Sequence, residues 1–147
     1  MADEHLQATV SVRGIVVEPR GRLLILQRST DTEWELPGGR LGPDEDPMQG
    51  LKRELTEETG LPVEIDDIVA ANSWVNTDNQ DRFAVHYRCY APQEKPTLSN
   101  EHSDAQWTTR SAIDNLLSEP QIAAIHAATG SVPVQSEAAD RSSPSPK

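Results

Sequence analysis

The sequence predicts an α/β fold in which helices cover both faces of a mixed β-sheet. Three observations support this prediction: apolar runs typical of strands precede and follow one well-capped helix, turn signals separate the runs, and more helical sequence follows the last of them. Elements in this order favour an α/β/α sandwich. The chain has 147 residues, which suffices for one domain with a substantial core.

Two strands are predicted before the helix, at residues 8–17 and 23–28. Both segments are apolar, the first is rich in β-branched residues, and the Pro and Gly between them signal a turn. We therefore expect a hairpin. Residues 29–34 are polar and predict a loop, and the Gly- and Pro-rich segment 35–47 predicts an ordered loop with at most a short strand.

The predicted helix covers residues 47–59. Asp46 is a favourable N-cap, Pro47 suits the first helical position, and Gly60 followed by Pro62 ends the helix. Apolar residues recur at helical spacing and predict one packed face, formed by Met48, Leu51 and Leu55.

Two further strands are predicted after the helix, at residues 63–75 and 82–90. The first is interrupted by two consecutive aspartates, and the second alternates between two faces. A short strand is expected around Trp107, followed by one or two helices over residues 110–129 that are broken near Pro120 and ended by the next glycine.

The composition changes from about residue 131, where the chain becomes polar and rich in Ser and Pro. Such a segment buries too little apolar surface to become ordered. We therefore expect a domain over residues 1–130 and a disordered tail over residues 131–147. Cys89 is the only cysteine, so no internal disulfide can form, and we expect this side chain to be buried as a small apolar group.

The charge of the chain restricts its partners. With 24 acidic and 13 basic residues the net charge is −11, whereas nucleic acids and anionic membranes require a basic surface. We expect neither as a partner. No run is long and apolar enough for a membrane helix, and the first residues lack the pattern of a signal peptide, so we expect a cytoplasmic protein. The oligomeric state stays open, with a homodimer as one option.

Arginine dominates the basic residues, with ten arginines and three lysines. Two interpretations stay open: an acidic, lysine-poor surface adapted to concentrated salt, as in proteins of salt-loving organisms, or an acidic protein encoded by an arginine-rich genome.

Three carboxylates crowd one face of the predicted helix. Glu54, Glu57 and Glu58 stand at i, i+3 and i+4, so their Cβ atoms should lie about 5–6 Å apart. They could form a solvated face on which Arg53 pairs with Glu57. Alternatively they could bind a hard divalent cation such as Mg²⁺, which prefers oxygen ligands. The spacing alone does not decide between these interpretations.

The sequence upstream of the glutamates favours the cation. Residues 39–61 read GRLGPDEDPMQGLKRELTEETGL, with nine positions that resemble the signature of the Nudix hydrolase family, mutator-type enzymes included. The ELPG that precedes this segment is also similar to that family. The resemblance implies a Nudix-type α/β/α sandwich with a mixed central sheet, and a hydrolase that cleaves a diphosphate linkage in a nucleoside diphosphate derivative.

The resemblance also implies roles for the motif residues. The catalytic set would be Arg53, Glu54, Glu57 and Glu58. The three glutamates would bind Mg²⁺ or Mn²⁺, Arg53 would position them, and the carbonyl of Gly39 could join the metal. Glu45 corresponds to a loop residue that more often braces the helix than binds metal. The base that activates water would be Glu54 or Glu58.

Residues outside the motif are candidates on the same resemblance. Glu101 is placed like an extra metal ligand of the mutator-type enzymes, with Asp104 as its rival. Arg28 is placed like an arginine that contacts substrate phosphate, with an ordinary surface arginine as the alternative. Trp34 or Trp74 could stack on a base, although large aromatic residues more often belong to the core.

The substrate stays open at this point. Residues 76–79 read NTDN, where ADP-ribose-specific members tend to carry a proline, and the pattern of the NADH-cleaving group is absent. The arrangement of Arg28 and Glu101 slightly favours nucleoside triphosphates as substrates. A catalytically silent nucleotide-binding sensor module of the same fold is the alternative function, although no motif glutamate is lost. A purely structural acidic domain would leave the agreement of caps, apolar face and motif unexplained.

Overall fold

The computed structural model describes residues 4–128. The elements in chain order are β1 (Thr9–Val17), β2 (Leu23–Arg28), β3 (Trp34–Glu35), β4 (Gly38–Arg40), α1 (Pro47–Thr59), β5 (Glu64–Val75), β6 (Asp81–Tyr90), β7 (His102–Thr108), a 3₁₀ segment (Arg110–Asn115) and α2 (Glu119–Ala128). The predicted helix end at Gly130 and the predicted tail at 131–147 lie outside the described residues. No helix within the described range is long and apolar enough to cross a membrane.

The strands form one mixed sheet, as predicted. The order is β3-β2-β1-β6-β5, with β4 paired to β1 and β7 paired to β2. Only β1 and β6 run parallel, from the pair Thr9 and Arg82 to the pair Val17 and Tyr90, among the described pairings. β5 shifts register around Ile68, which confirms the interruption expected at the two aspartates.

The predicted hairpin of β1 and β2 is confirmed by their antiparallel pairing, but the paired part is short. The two strands pair only at Val17 and Leu23. β1 instead pairs with β4 over Ser11–Arg13, while β2 pairs with β3 and β7. Because the short β4 replaces β2 beside the middle of β1, the loop that leads into α1 is anchored at the centre of the sheet.

α1 has the predicted bounds, and local capping explains them. The Asp46 carboxylate accepts hydrogen bonds from the N–H groups of Met48 and Gln49, and Gly60 adopts the left-handed conformation at φ 64°. Leu55 is buried in the core as predicted. Met48 is 45% exposed, so the packed face begins one turn later than predicted.

Two apolar layers flank the sheet and make the sandwich. On one face, Leu51 and Leu55 of α1 pack with strand residues in one buried cluster. The strand residues in this cluster include Val12, Val16, Tyr87 and Cys89. On the other face, Ile113 of the 3₁₀ segment and Ile125 of α2 pack with strand residues in a second buried cluster. The strand residues in this cluster include Ile15, Leu23 and Ile25. Cys89 is buried as predicted, and burial raises the pKa of its thiol to about 12.

Leu55 and Met48, two of the three predicted members of the α1 face, should differ sharply in their contribution to stability. Leu55→Ala leaves a cavity against the sheet and should lower the free energy of unfolding by about 2–5 kcal/mol. Met48→Ala, a matched truncation on the same helix, should change it by less than about 0.5 kcal/mol. Urea denaturation followed by circular dichroism measures both. Equal losses would contradict the observed packing of α1.

Candidate active site

Acidic and basic side chains meet in one cleft of about 660 Å³. Four of its carboxylates come from α1, β3 and the segment before β7: Glu35, Glu54, Glu58 and Glu101. Four of its guanidinium groups come from β1, β2, β4 and β6: Arg13, Arg28, Arg40 and Arg82. A cleft with both kinds of group can hold a cation and an anion side by side.

α1 directs two of its three glutamates into this cleft. Glu54 and Glu58 are one helical turn apart and both line it. The Glu57 side chain is 58% exposed, contacts Arg53 at 3.5 Å and does not line the cleft. The predicted trio is therefore split between a pair inside the cleft and a solvent-exposed neighbour.

Glu58 is almost fully buried. One of its oxygens accepts a hydrogen bond from the N–H of Gly38 at 3.0 Å. Burial raises the pKa of Glu58 to about 9, and the nearby charge of Glu54 adds to the rise, although the Gly38 N–H opposes it. Without a cation this carboxyl therefore keeps its proton at neutral pH.

Gly39 brings the backbone of β4 against the Glu54 carboxylate. A Cβ atom at this position would overlap the Glu54 carboxylate oxygens and would lie 2.5 Å from its Cδ. The motif therefore needs glycine here for close approach, and the backbone of β4 lies directly beside a carboxylate of the cleft.

Arg53 and Glu45 brace the loop against α1. Arg53 donates to both Glu45 oxygens, at 2.8 and 3.1 Å, and Glu45 also accepts from the N–H of Gly42 at 3.0 Å. These hydrogen bonds lower the pKa of Glu45 to about 2. The Arg53 guanidinium also contacts Glu54 at 3.3 Å, so it links the loop to the cleft.

Glu101 lies beside the α1 carboxylates and Asp104 does not. Ligand atoms of Glu58, Glu101 and His102 all lie within 4.8 Å of one another. Asp104 is outside the cleft lining, and its carboxylate accepts from the N–H of Ala105. His102 was missed by the sequence analysis, and its only signal was its place next to Glu101.

The cleft residues fit a divalent cation. Carboxylates of Glu54, Glu58 and Glu101 converge there, and a buried ring nitrogen of His102 has no hydrogen-bond partner among the described residues. Carboxylate oxygens with an added imidazole nitrogen are ordinary ligands for divalent ions. The predicted role of the exposed Glu57 as a ligand stays a prediction.

Glu35 joins the acidic and basic sides of the cleft. Its carboxylate contacts His102 at 2.8 Å, Arg28 at 3.3 Å and Arg13 at 3.4 Å. Burial alone would raise the pKa of Glu35, but the hydrogen bond from His102 and the two arginine charges lower it below its ordinary value of 4.5. Glu35 is therefore a buried anion held by three partners.

Arg28 and Trp34 are not equally placed for a substrate. Arg28 lines the cleft but forms a two-point ion pair with Asp31, at 3.0 and 2.7 Å. Trp34 is half-buried in an adjoining groove that shares Arg28 and Glu35 with the cleft. Trp74 lies in a different groove. The roles of Arg28 and Trp34 stay predictions.

Three cleft arginines were also missed. Arg82 is the most informative of them, because its Nε is buried and has no hydrogen-bond partner among the described residues. Burial lowers the pKa of Arg82, and the charges of Arg40, Arg13 and Arg28 lower it further. Arginines that repel one another indicate a site for an anion. The sequence signal that could have identified Arg13 is its position as a charged residue within the otherwise largely apolar strand β1.

Comparisons with known proteins show what the chain is similar to as a whole. A family model described as NUDIX domain matches residues 7–128. A MutT-like protein of Streptomyces ambofaciens is 37% identical over 111 residues, which cover 76% of this chain and 70% of that protein. A CTP pyrophosphohydrolase of Escherichia coli (strain K12) is 29% identical over 103 residues, which cover 67% of this chain and 74% of that protein. The crystal structure of a MutT protein from Methanosarcina mazei Go1 is similar with a TM-score of 0.69 and 26% identity, covering 82% of this chain and 92% of that one.

The Arg53 brace should be visible in the titration of Glu45. At about pH 3.5 the Glu45 carboxyl should be ionised in the wild-type protein and largely protonated in Arg53→Met, where its pKa rises toward 4.5 although the Gly42 N–H still lowers it. Because the folded-state pKa is depressed, the pair stabilises the protein fully above pH 4.5 and this contribution fades as the pH falls toward 2. Carboxyl ¹³C shifts measure the titration. A wild-type Glu45 that titrates near 4.5 would contradict the brace.

Gly39 should be needed for metal binding rather than for folding. Gly39→Ala displaces the Glu54 carboxylate and should weaken Mn²⁺ binding about tenfold or more, with little change in melting temperature. Gly42→Ala is the matched control, because its Cβ would meet Glu45 at an ordinary 3.5 Å. Isothermal titration calorimetry measures the affinity. Wild-type Mn²⁺ affinity in Gly39→Ala would show that Glu54 takes no part.

Proposed function

The chain belongs to the Nudix family, and from this we propose that it is a Mg²⁺- or Mn²⁺-dependent pyrophosphohydrolase that hydrolyses the diphosphate linkage of a nucleoside triphosphate or similar small nucleotide. One observation carries the proposal: the carboxylates of Glu54, Glu58 and Glu101 line the same cleft as a group of arginines. A diphosphate bound to a divalent cation carries the complementary arrangement of charge.

The arginines support a substrate with several phosphates. Arg40 and Arg82 line the cleft, and the buried Nε of Arg82 has no hydrogen-bond partner among the described residues, so it offers a donor to a phosphate oxygen. Arg28 could join them by exchanging its ion pair with Asp31 for one with phosphate. The similarity to a CTP pyrophosphohydrolase of Escherichia coli also favours a triphosphate over ADP-ribose.

The proposed metal ligands are Glu54, Glu57, Glu58 and Glu101, with the backbone carbonyl of Gly39. When bound, a divalent cation offsets the charge of the diphosphate and makes a coordinated water more acidic. Glu58 would lose its proton as the cation binds, because the positive charge stabilises the carboxylate and so offsets the effect of burial on its pKa.

The chain's own groups would then act on a water molecule. Glu54 or Glu58 accepts the proton of the attacking water, and Arg53 holds the Glu54 carboxylate in place at 3.3 Å. The cleft arginines hold the phosphate oxygens and stabilise the charge that develops on them. Trp34, which lines the adjoining groove, is the proposed contact for the base of the nucleotide.

We further propose that the protein acts on free nucleotides in the cytoplasm. Its net charge of −11 disfavours a nucleic-acid or membrane surface, so a small anion would be attracted by the local arginines of the cleft rather than by the charge of the whole chain. The alternative function, a catalytically silent nucleotide-binding sensor module, would use the same arginines without turnover. Because the chain keeps every glutamate of the motif and the cleft carboxylates of Glu54, Glu58 and Glu101, we favour the enzyme over the sensor module.

A nucleotide panel tests the proposal. With Mg²⁺ or Mn²⁺ the protein should release a nucleoside monophosphate and pyrophosphate from at least one nucleoside triphosphate, and Glu58→Gln should lower kcat about a hundredfold or more. Glutamine has the shape of the protonated Glu58 and keeps an acceptor for the Gly38 N–H, so the melting temperature without metal should not change.

Glu94→Gln is the control for this panel, because it removes the same charge at an exposed position outside the cleft and should retain wild-type kcat. Ion-exchange chromatography of the products measures turnover. Binding of nucleotides without turnover of any triphosphate, dinucleoside polyphosphate, nucleotide sugar or ADP-ribose would favour the sensor module instead.

A further inference from the structure

His102 is buried in the cleft with one ring nitrogen used and the other unused. Its exposed fraction is 5%, and its Nε2 lies 2.8 Å from the Glu35 carboxylate. Its Nδ1 is also buried and has no hydrogen-bond partner among the described residues. A buried polar atom without a partner is costly, so this nitrogen indicates a missing ligand.

The contact with Glu35 decides which nitrogen carries the proton. Glu35 lies within 3.4 Å of two guanidinium groups, those of Arg13 and Arg28, so it is an anion and can only accept hydrogen bonds. Nε2 of His102 is therefore the donor. In the neutral ring, Nδ1 then carries a lone pair.

His102 also belongs to a cluster suited to a cation. One ring nitrogen of His102 and carboxylate oxygens of Glu58 and Glu101 lie within 4.8 Å of one another, although Glu58 comes from α1, Glu101 directly precedes β7 and His102 begins it. A metal-binding histidine characteristically donates its second ring N–H to a carboxylate, as His102 does to Glu35.

His86 provides an internal comparison. It is buried to the same degree, and neither of its ring nitrogens has a hydrogen-bond partner among the described residues. However, no carboxylate orients its ring in the described hydrogen bonds, and it belongs to no group of candidate ligands in the described part of the chain. The combination of an oriented ring and two adjacent carboxylates is particular to His102.

We propose that Glu58, Glu101 and His102 form a cation site with one nitrogen and two carboxylate ligands, and that this site takes first-row transition-metal ions such as Co²⁺ and Mn²⁺ in preference to Mg²⁺. Imidazole ligands suit transition metals, whereas Mg²⁺ prefers oxygen alone. The place of this site in catalysis rests on the proposed hydrolase function, but the binding of the ion does not.

The test measures nitrogen coordination directly. Wild-type protein is titrated with Mn²⁺ from below one equivalent to excess, and electron spin echo envelope modulation detects ¹⁴N coupled to the bound ion. The expected result is an imidazole ¹⁴N signal in the wild type. Its absence over the whole titration would overturn the proposal, and this measurement requires no variant.

Two substitutions locate the nitrogen. In His102→Gln the amide can replace Nε2 as the donor to Glu35 but places no lone pair at Nδ1, so the ¹⁴N signal should vanish and Co²⁺ affinity should fall about tenfold or more, with Mg²⁺ affinity changed less. In His102→Asn the amide oxygen can take the place of Nδ1, so Co²⁺ binding should be partly retained without the imidazole signal. An unchanged ¹⁴N signal in either variant would assign the nitrogen elsewhere and refute the site.

The outcome is separable from that of the nucleotide panel. An imidazole signal in a protein that hydrolyses no nucleotide would support this site while refuting the proposed hydrolase. Hydrolysis by a protein whose bound Mn²⁺ shows no ¹⁴N coupling would refute this site while supporting the hydrolase.

Discussion

The burial of Glu58 beside Glu54 is the constraint on which the rest of the structure depends. Burial and the nearby charge of Glu54 both disfavour the ionised form of Glu58, so without a cation the folded helix has to hold a protonated carboxyl one turn away from Glu54. α1 is fixed by its caps at both ends and by Leu55 against the sheet. The Gly38 N–H donates a hydrogen bond to Glu58, so the buried carboxyl is held in place on a rigid element.

The unusual course of the chain before α1 follows from the same constraint. β4 must bring two glycines against the glutamates, and it does so by pairing with β1 where a simple hairpin would have put β2. Gly38 has φ 142°, and a Cβ there would overlap the backbone of Val12. The ion pair between Glu45 and Arg53 then fixes the loop between β4 and α1 to the helix. Strand pairing, glycine geometry and the ion pair therefore all position one pair of carboxylates.

The sequence was informative where the structure is local. The bounds of α1 depend on Asp46, Pro47 and Gly60, which act within one turn of the helix ends, and they were predicted correctly. The packing of Met48, the extent of the hairpin and the presence of His102 depend on contacts between distant segments. His102 and Glu35 are 67 residues apart, and no periodicity within either segment indicates that β7 brings them together. The motif identified Glu54 and Glu58. Arg13, Arg40 and Arg82 come from separate strands, so their place in the cleft could be recognised only once the strand order was known.

Glu35 makes the two halves of the cleft interdependent. Its carboxylate is shared by His102 on the acidic side and by Arg13 and Arg28 on the basic side. A substrate phosphate that draws Arg28 away would leave Glu35 more strongly bound to His102, because fewer positive charges would compete for it. A stronger hydrogen bond from Nε2 makes Nδ1 a better electron donor. If Arg28 and His102 have the proposed roles, an anion in the cleft would therefore strengthen the binding of a cation, and the coupling would run equally in the opposite direction.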